Sequence, residues 1–293
     1  SEQSAAKDQL DEYTYRTSRI DFELIDPDEE PQITENYGVT QYNTLVIESG
    51  VKRETVTEIT ESNITNAIIK VTREQDKVIY FLTGHGERSI EDDTEQGYKS
   101  AAEAIEKENH LVRNLNLVRR GSVADSATVL LICRPVSNFL PGELDSVKSF
   151  VDKGGKLFVL LDPEHPEDLK TFLSLYQVDA GRNMVIDASG VGRLFGAGPA
   201  MPLVTNYAED HPITEGFSNM MTFFDRATAV TPMEDKGGYT FTELLKTSGN
   251  SWAETDWSTG QVAFDEAEDI PGPVTIGLVA EKDLTEGKAV LAV

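Results

Sequence analysis

The chain has 293 residues, 39% hydrophobic and 26% charged, which is the balance of a folded protein with room for two cores. Its 51 acidic residues against 26 lysines and arginines give a formal charge of −25 at pH 7. That charge repels phosphate backbones and anionic lipid, and so speaks against nucleic-acid or membrane-surface binding.

No apolar run reaches the length a bilayer requires, and no signal-peptide pattern is present. Cys133 is the only cysteine, so neither an internal disulfide nor a CxxC pair is open to this chain and its redox compartment stays undefined. The first residue is not Met, and Lys288–Val293 reads as an apolar strand. The expectation is a fragment of a longer protein, with any membrane anchor outside it.

In chain order, Leu10 and Tyr13 share one face of a helix expected from about Ala5 to Ser18. Ile20, Phe22 and Leu24 alternate with Asp21 and Glu23 as a half-buried strand, ended by Asp26-Pro27. Thr44–Ile47 and Val51–Val56 form a hairpin joined through Ser49-Gly50. Ile64, Ala67, Ile68 and Val71 make a second amphipathic helix that Glu61 or Ser62 is placed to cap. Helix, strand, hairpin and helix make up most of a thioredoxin-type unit over residues 1–75, with its first strand missing. Lacking a CxxC pair, that unit cannot carry dithiol chemistry, which leaves docking or spacing as its use.

The second unit, residues 76–293, opens on an unbroken apolar run, Val78–Leu82, that stops at Thr83-Gly84-His85-Gly86-Glu87-Arg88. Such a run between turn signals reads as a strand buried on both faces, the kind found in parallel sheets. Tyr98, Ala101, Ala102 and Ile105 follow at helical spacing, so strand, loop and helix come in βαβ order. Leu111–Leu117 reads as an edge strand and Val129–Cys133 as a buried one. Pro141 suits a helix first turn, Leu144, Val147, Phe150 and Val151 supply its apolar face, and Gly154-Gly155 closes it. Lys156–Leu161 is the next buried strand, a helix through Leu169, Phe172, Leu173 and Tyr176 follows, and Met184–Ile186 is a further strand. This alternation predicts a doubly wound α/β fold with a parallel sheet in flavodoxin-like order. Residues 187–202 are glycine- and proline-rich and irregular. Met220–Val230 and Val274–Ala280 read as strands that either complete the sheet or cap it.

Several of these segments together resemble the gliding-motility-type auxiliary proteins of ABC transporters, the GldG-like family. The resemblance is carried by Phe81-Leu-Thr-Gly-His-Gly-Glu87, Ile25-Asp-Pro27, Asn66–Ile69, Gly154–Leu157, Leu161-Asp-Pro163, His211–Thr214 and Leu244–Ser248. It implies a thioredoxin-like unit followed by a domain similar to class I glutamine amidotransferases. It also implies an extracytoplasmic, periplasmic setting, anchored to the inner membrane by segments outside this chain. The implied partners are the permease and ATPase subunits of the same ABC system, with membrane contact only through those flanking segments.

Candidate chemistry gathers where open α/β sheets hold ligands, at the C-terminal ends of the strands. Gly84 and Gly86 allow close backbone approach, and His85 and Glu87 can donate and accept hydrogen bonds. Arg88 and Arg134 are expected within reach of that loop, with Asp162 and Glu164 at the neighbouring strand end. These eight residues are the candidate ligand- or partner-binding set. The alternative use of the loop is as a tie to its neighbours.

Asp162, Glu164, His165 and Glu167 suggest a metal site, but Pro163 and Pro166 splay them and an acid is expected at a helix start. Cys133 does not sit in a G-x-C-x-G elbow, and Pro135 follows where a helix would begin. A buried, inert cysteine is the better reading. Gly190-Val-Gly192-Arg-Leu-Phe-Gly196 misses the dinucleotide spacing by one residue, and prolines interrupt the helix it would require. Nothing in the sequence calls for a cofactor.

The expected function is therefore a non-catalytic extracytoplasmic auxiliary module, binding a ligand or partner for an ABC-type transport complex. Two other readings stand beside it: a hydrolase or metal-dependent enzyme using His85, Glu87, Asp162 and Glu164, and a purely structural stalk.

Overall fold

The computed structural model describes residues 2–73, 76–196, 198–260, 262–285 and 287–293. Two compact units are present, Ser1–Asp76 with Ile105–His110, and Lys77–Ala104 with Leu111–Val293.

The first unit comprises helices Glu2–Arg16 (α1) and Pro31–Asn36 (α2), strands Leu45–Ser49 (β1) and Lys52–Val56 (β2), and helix Glu61–Thr72 (α3). The expected hairpin is there: β1 and β2 pair antiparallel, from Leu45 opposite Val56 to Ser49 opposite Lys52. Val56, Ile64, Ala67 and Val71 are buried with Leu10 of α1. Tyr13 donates to the Glu61 carbonyl at 3.1 Å and meets the Thr65 hydroxyl at 2.6 Å, which ties α1 to α3.

Two expectations are corrected here. The cap of α3 is Thr60, whose hydroxyl accepts from the Asn63 amide at 3.2 Å; Glu61 and Ser62 already lie inside the helix. Residues 20–24 form no strand. Leu24 is exposed, the Phe22 amide bonds to the Asp21 side chain, and Asp26 collects the amides that follow. Side chains of this type compete with a strand ladder for the backbone, and here they win.

The second unit begins with strand Val78–Leu82 (β3), helix Lys99–Lys107 (α4), whose end belongs to the first unit, and strand Leu111–Leu115 (β4). Helix Leu117–Arg120 (α5), strand Ala127–Cys133 (β5), helix Glu143–Asp152 (α6) and strand Lys156–Leu160 (β6) follow. Next are helix Glu167–Ser174 (α7) and strands Val178–Ala180 (β7), Met184–Asp187 (β8), Leu203–Tyr207 (β9), Thr222–Phe223 (β10) and Val230–Pro232 (β11). Thr240–Thr247 (β12), Ser251–Glu254 (β13), Ile270–Pro271 (β14), Thr275–Asp283 (β15) and Lys288–Ala292 (β16) complete it.

Among the described residues the main sheet has nine strands in the order β10-β9-β12-β15-β16-β6-β5-β3-β4. From β16 to β4 every neighbouring pair is parallel. Numbered by their place in the chain, those five strands stand in the flavodoxin-like order 2-1-3-4-5. From β16 outward the sheet turns antiparallel, through β15, β12, β9 and β10. The last third of the chain thus completes the main sheet and also adds strands to two small ones, β11 beside β7, and β13 and β14 beside β8.

Three details depart from the sequence reading. Met184–Ile186 lies in the small sheet and outside the main one. The strand expected over Met220–Val230 shrinks to Thr222–Phe223, with Val230 opening a separate strand. α6 starts at Glu143 because Gly142 takes a left-handed φ of +88°, leaving Pro141 before the helix.

Burial follows the apolar spacing. Val147 and Val151 of α6 and Leu169, Phe172 and Leu173 of α7 join Leu130, Ile132, Leu157, Val159 and Leu291 of the sheet in one core. β3 and β5 are paired on both edges, whereas β1 and β2 have only each other. In native-state hydrogen exchange, the amides of β1 and β2 are expected to open well before those of β3 and β5. Equal protection of the two sets would contradict this ordering.

Candidate functional site

Strand β3 leaves the sheet through Thr83, whose amide and hydroxyl both donate to the Leu115 carbonyl, at 2.8 and 3.1 Å. Gly84 and Gly86 then take φ of +131° and +81°, conformations that L side chains rarely adopt. Gly86 is doubly constrained, since a Cβ there would run into Val136 Cγ2. The His85 carbonyl between them accepts from the amides of Val136 and Ser137, at 2.8 and 3.1 Å. The Arg88 amide donates to the Cys133 carbonyl at 3.2 Å. The loops after β3 and β5 are thus zipped together at the point where strand order reverses, as the flavodoxin-like order requires.

The side chain of His85 points inward and is 3% exposed. Its Nδ1 lies 2.9 Å from Glu87 Oε1 and its Nε2 2.9 Å from Glu143 Oε2, two carboxylates that are themselves almost fully buried. Carboxylates only accept, so both ring nitrogens donate when the imidazole is protonated. Glu87 Oε2 also takes the His85 amide at 2.7 Å, closing a two-residue ring that sets the loop's shape. Glu143 Oε2 takes the Leu140 amide at 2.6 Å, and Glu143 opens α6, where a negative charge suits the helix dipole. Phe139 stacks on the imidazole at 4.1 Å and 20°, its own amide held by Asp168 Oδ2 at 2.6 Å. Burial alone would push the histidine's pKa down from 6.5. Its bonds to Glu143 and Glu87 outweigh burial and raise it.

The remaining candidates are distributed around this clip. Arg134 adopts φ +57°, its amide donates to the Leu160 carbonyl at 2.8 Å, and its Nε forms a close ion pair with Asp162. Arg88 directs Nη1 to the Gln96 carbonyl at 3.0 Å. Glu164 lies apart, in a close ion pair with Arg226, and Glu167 pairs with Arg182 at 2.9 Å. The acids at the end of β6 therefore each face a different arginine, and among the described residues no group of metal-ligating side chains converges. His165 is buried, with Nδ1 donating to the Asp162 carbonyl at 2.9 Å.

The Cys133 thiol is 2% exposed, and burial, with the Glu87 charge second, pushes its pKa up to about 12. It stays protonated and is no nucleophile at neutral pH.

The structure thus brings together Gly84, His85, Gly86 and Glu87 with Arg88 and Arg134 beside them, reaches Asp162 through Arg134, and leaves Glu164 outside. Sequence reading missed Glu143 and Phe139. Their one signal was an acid at the start of the helix after β5, the element that a switch-point topology places opposite the loop after β3.

Residues 76–285, more than half of the chain, match the model of the family ABC_transp_aux, described as an ABC-type uncharacterized transport system. The chain belongs to this family. No curated protein matches it. Among solved structures, it resembles the mmIFT52 N-terminal domain with a TM-score of 0.52 at 15% identity, over 73% of this chain and 84% of that one. A weaker likeness, TM-score 0.42 at 12% identity over 69% and 76% of the two chains, is to a putative ThuA-like protein from Bacteroides uniformis. At 15% identity the first likeness speaks of fold alone. The ABC_transp_aux match covers the His85 loop, β3 to β6 and most of the antiparallel half.

Three expectations follow from the clip and its loop. Replacing His85 with Ala leaves two buried carboxylates facing each other, and is expected to cost about 3–5 kcal/mol in chemical denaturation. Because folding raises the pKa of His85, its contribution is fully present below the ordinary value and is lost as pH rises through the native one. The His85 contribution to the parent's stability should therefore decline as pH rises above the ordinary 6.5, and a native His85 midpoint below that value would contradict the assignment. Gly86→Ala should destabilise by about 1–3 kcal/mol, combining a left-handed backbone with the clash at Val136. Pairing it with Val136→Ala should recover only the steric part, and full recovery would show that the backbone angle carries no cost.

Proposed function

We propose that this chain is a non-catalytic, extracytoplasmic docking module of an ABC-type transport system. It is held by membrane segments that flank it and works beside permease and ATPase subunits. The observation that carries this reading is the match of residues 76–285 to the ABC_transp_aux family. The geometry of the switch point supports the non-catalytic part. His85, Glu87, Glu143 and Cys133, the groups with reactive potential, all turn inward and are bound or buried. What the edge offers outward is shape: the glycine backbone, Val136 at 60% exposure and Leu140 at 54%, on loops locked from beneath by the histidine. Exposed apolar side chains on a rigid frame suit protein contact, since little ordering cost attends binding.

Substituting Val136→Asp and Leu140→Asp together in the full-length protein is expected to lower co-purification with its permease at least tenfold. The melting temperature should barely move, because exposed substitutions cost about 0.5 kcal/mol or less. Undiminished co-purification would overturn the docking role of this edge.

Placement outside the cytoplasm has its own test. Val51 is fully exposed and Cys133 is buried, so Val51→Cys adds one accessible thiol to this chain, read against the unsubstituted protein. A membrane-impermeant maleimide should label it in intact cells whose outer barrier has been opened, and labelling only after lysis would refute the placement.

A further inference from the structure

A second site lies away from the switch point, where a cleft of about 160 Å³ opens between the irregular segment after β8 and strand β13. Its walls are mostly apolar, with Ile186, Met201, Trp252 and Val262 facing the space. Two polar side chains also reach it, Asp187 and Arg193, and they differ in their commitments. Asp187 is a fixed part of the wall: its carboxylate accepts from the Ser189 amide at 2.8 Å, the Ser248 hydroxyl at 3.2 Å and the Leu203 amide at 3.3 Å.

Arg193 sits on the short turn Gly192–Phe195 and is exposed. Among the described residues no carboxylate pairs with it, whereas Arg134, Arg182 and Arg226 each hold one. The indole of Trp252 is oriented, donating from Nε1 to Glu254 Oε2 at 3.0 Å and meeting the Phe264 ring edge at 6.2 Å. A space of this size accepts one benzene-sized group, since an apolar cavity of about 150 Å³ is known to bind benzene. The walls thus specify an apolar group of one ring's bulk, and the unpaired guanidinium specifies a planar anion at its mouth.

We propose that this cleft binds a carboxylate carrying one benzene-sized apolar group, the group lying against Trp252 and Met201 and the carboxylate on Arg193. Two sources supply that chemistry, a free aromatic acid and the C-terminal residue of a peptide. Leu194 and Phe195, 83% and 59% exposed on the same turn, would meet the residues preceding such a terminus.

The test is calorimetric titration of the whole chain with N-acetyl-phenylalanine, its neutral amide, and an N-acetylated tetrapeptide ending in phenylalanine. The acid should bind saturably, with a Kd of about 1 mM or tighter, and the amide about tenfold more weakly. Arg193→Gln, an exposed change, should bring the acid down to the level of the amide and leave the amide unchanged. Ala188→Trp, placing bulk on the cleft wall, should weaken both. Tighter binding of the peptide than of the acid identifies a chain terminus as the source, and equal binding identifies the small acid. Equal affinity for acid and amide, indifference to Arg193→Gln, or neither heat nor a Trp252 fluorescence change at about 10 mM acid would each overturn the proposal.

Discussion

Two buried glutamates on either side of one imidazole fix where the chain can go after its first parallel strand. Each carboxylate also takes a backbone amide, Glu87 from His85 itself and Glu143 from Leu140, so the same charges that hold the ring shape the loops. An isolated ion at this depth would be expelled or neutralised. Held between two partners, the protonated imidazole is favoured over the free ring, and removing any member leaves the others unsatisfied. The glycines on each side follow from that constraint. With His85 turned inward, its neighbours must take left-handed angles, and one of them must pass within contact of Val136.

The position of the clip gives it reach across the fold. It joins the loop after β3 to the start of α6, the helix that packs Val147 and Val151 into the core beneath the parallel strands. Further along the sheet, β16 enters between β6 and β15, parallel to one and antiparallel to the other. That single strand joins a flavodoxin-like half to an antiparallel half, and the small sheet of β8, β13 and β14 with its cleft follows from the second half. The match to the ABC_transp_aux family spans the flavodoxin-like strands β3 to β6 and most of the antiparallel half.

The buried parallel strands were legible as short apolar runs bounded by turn residues, as Val78–Leu82 and Val129–Cys133 show, and β4 by its edge-strand alternation. Their order followed from the alternation with helices. Two misreadings have physical causes. Ile20, Phe22 and Leu24 have a strand's period, yet Asp21 and Asp26 bind the local amides and no partner strand is within the ladder. Met184–Ile186 has a buried strand's composition, which cannot say which sheet receives it. At the site, Gly84-His85-Gly86-Glu87 announced itself through glycines and polar groups at a strand end. The partner across the sheet did not, because Glu143 looks like any acid in a helix's first turn. The same blindness applies to the cleft: Arg193 and Trp252 lie far apart in sequence and come to one cleft only through the pairing of β8 with β13.

The charge state of His85 decides whether the switch point is an internal tie. Imidazole nitrogen shifts, followed by NMR through a pH titration of the intact chain, read it directly. The account predicts a His85 ring protonated on both nitrogens at neutral pH, with its midpoint above the ordinary 6.5. A neutral ring at pH 7 with a lowered midpoint would contradict it, and would return His85 to the pool of groups available for chemistry.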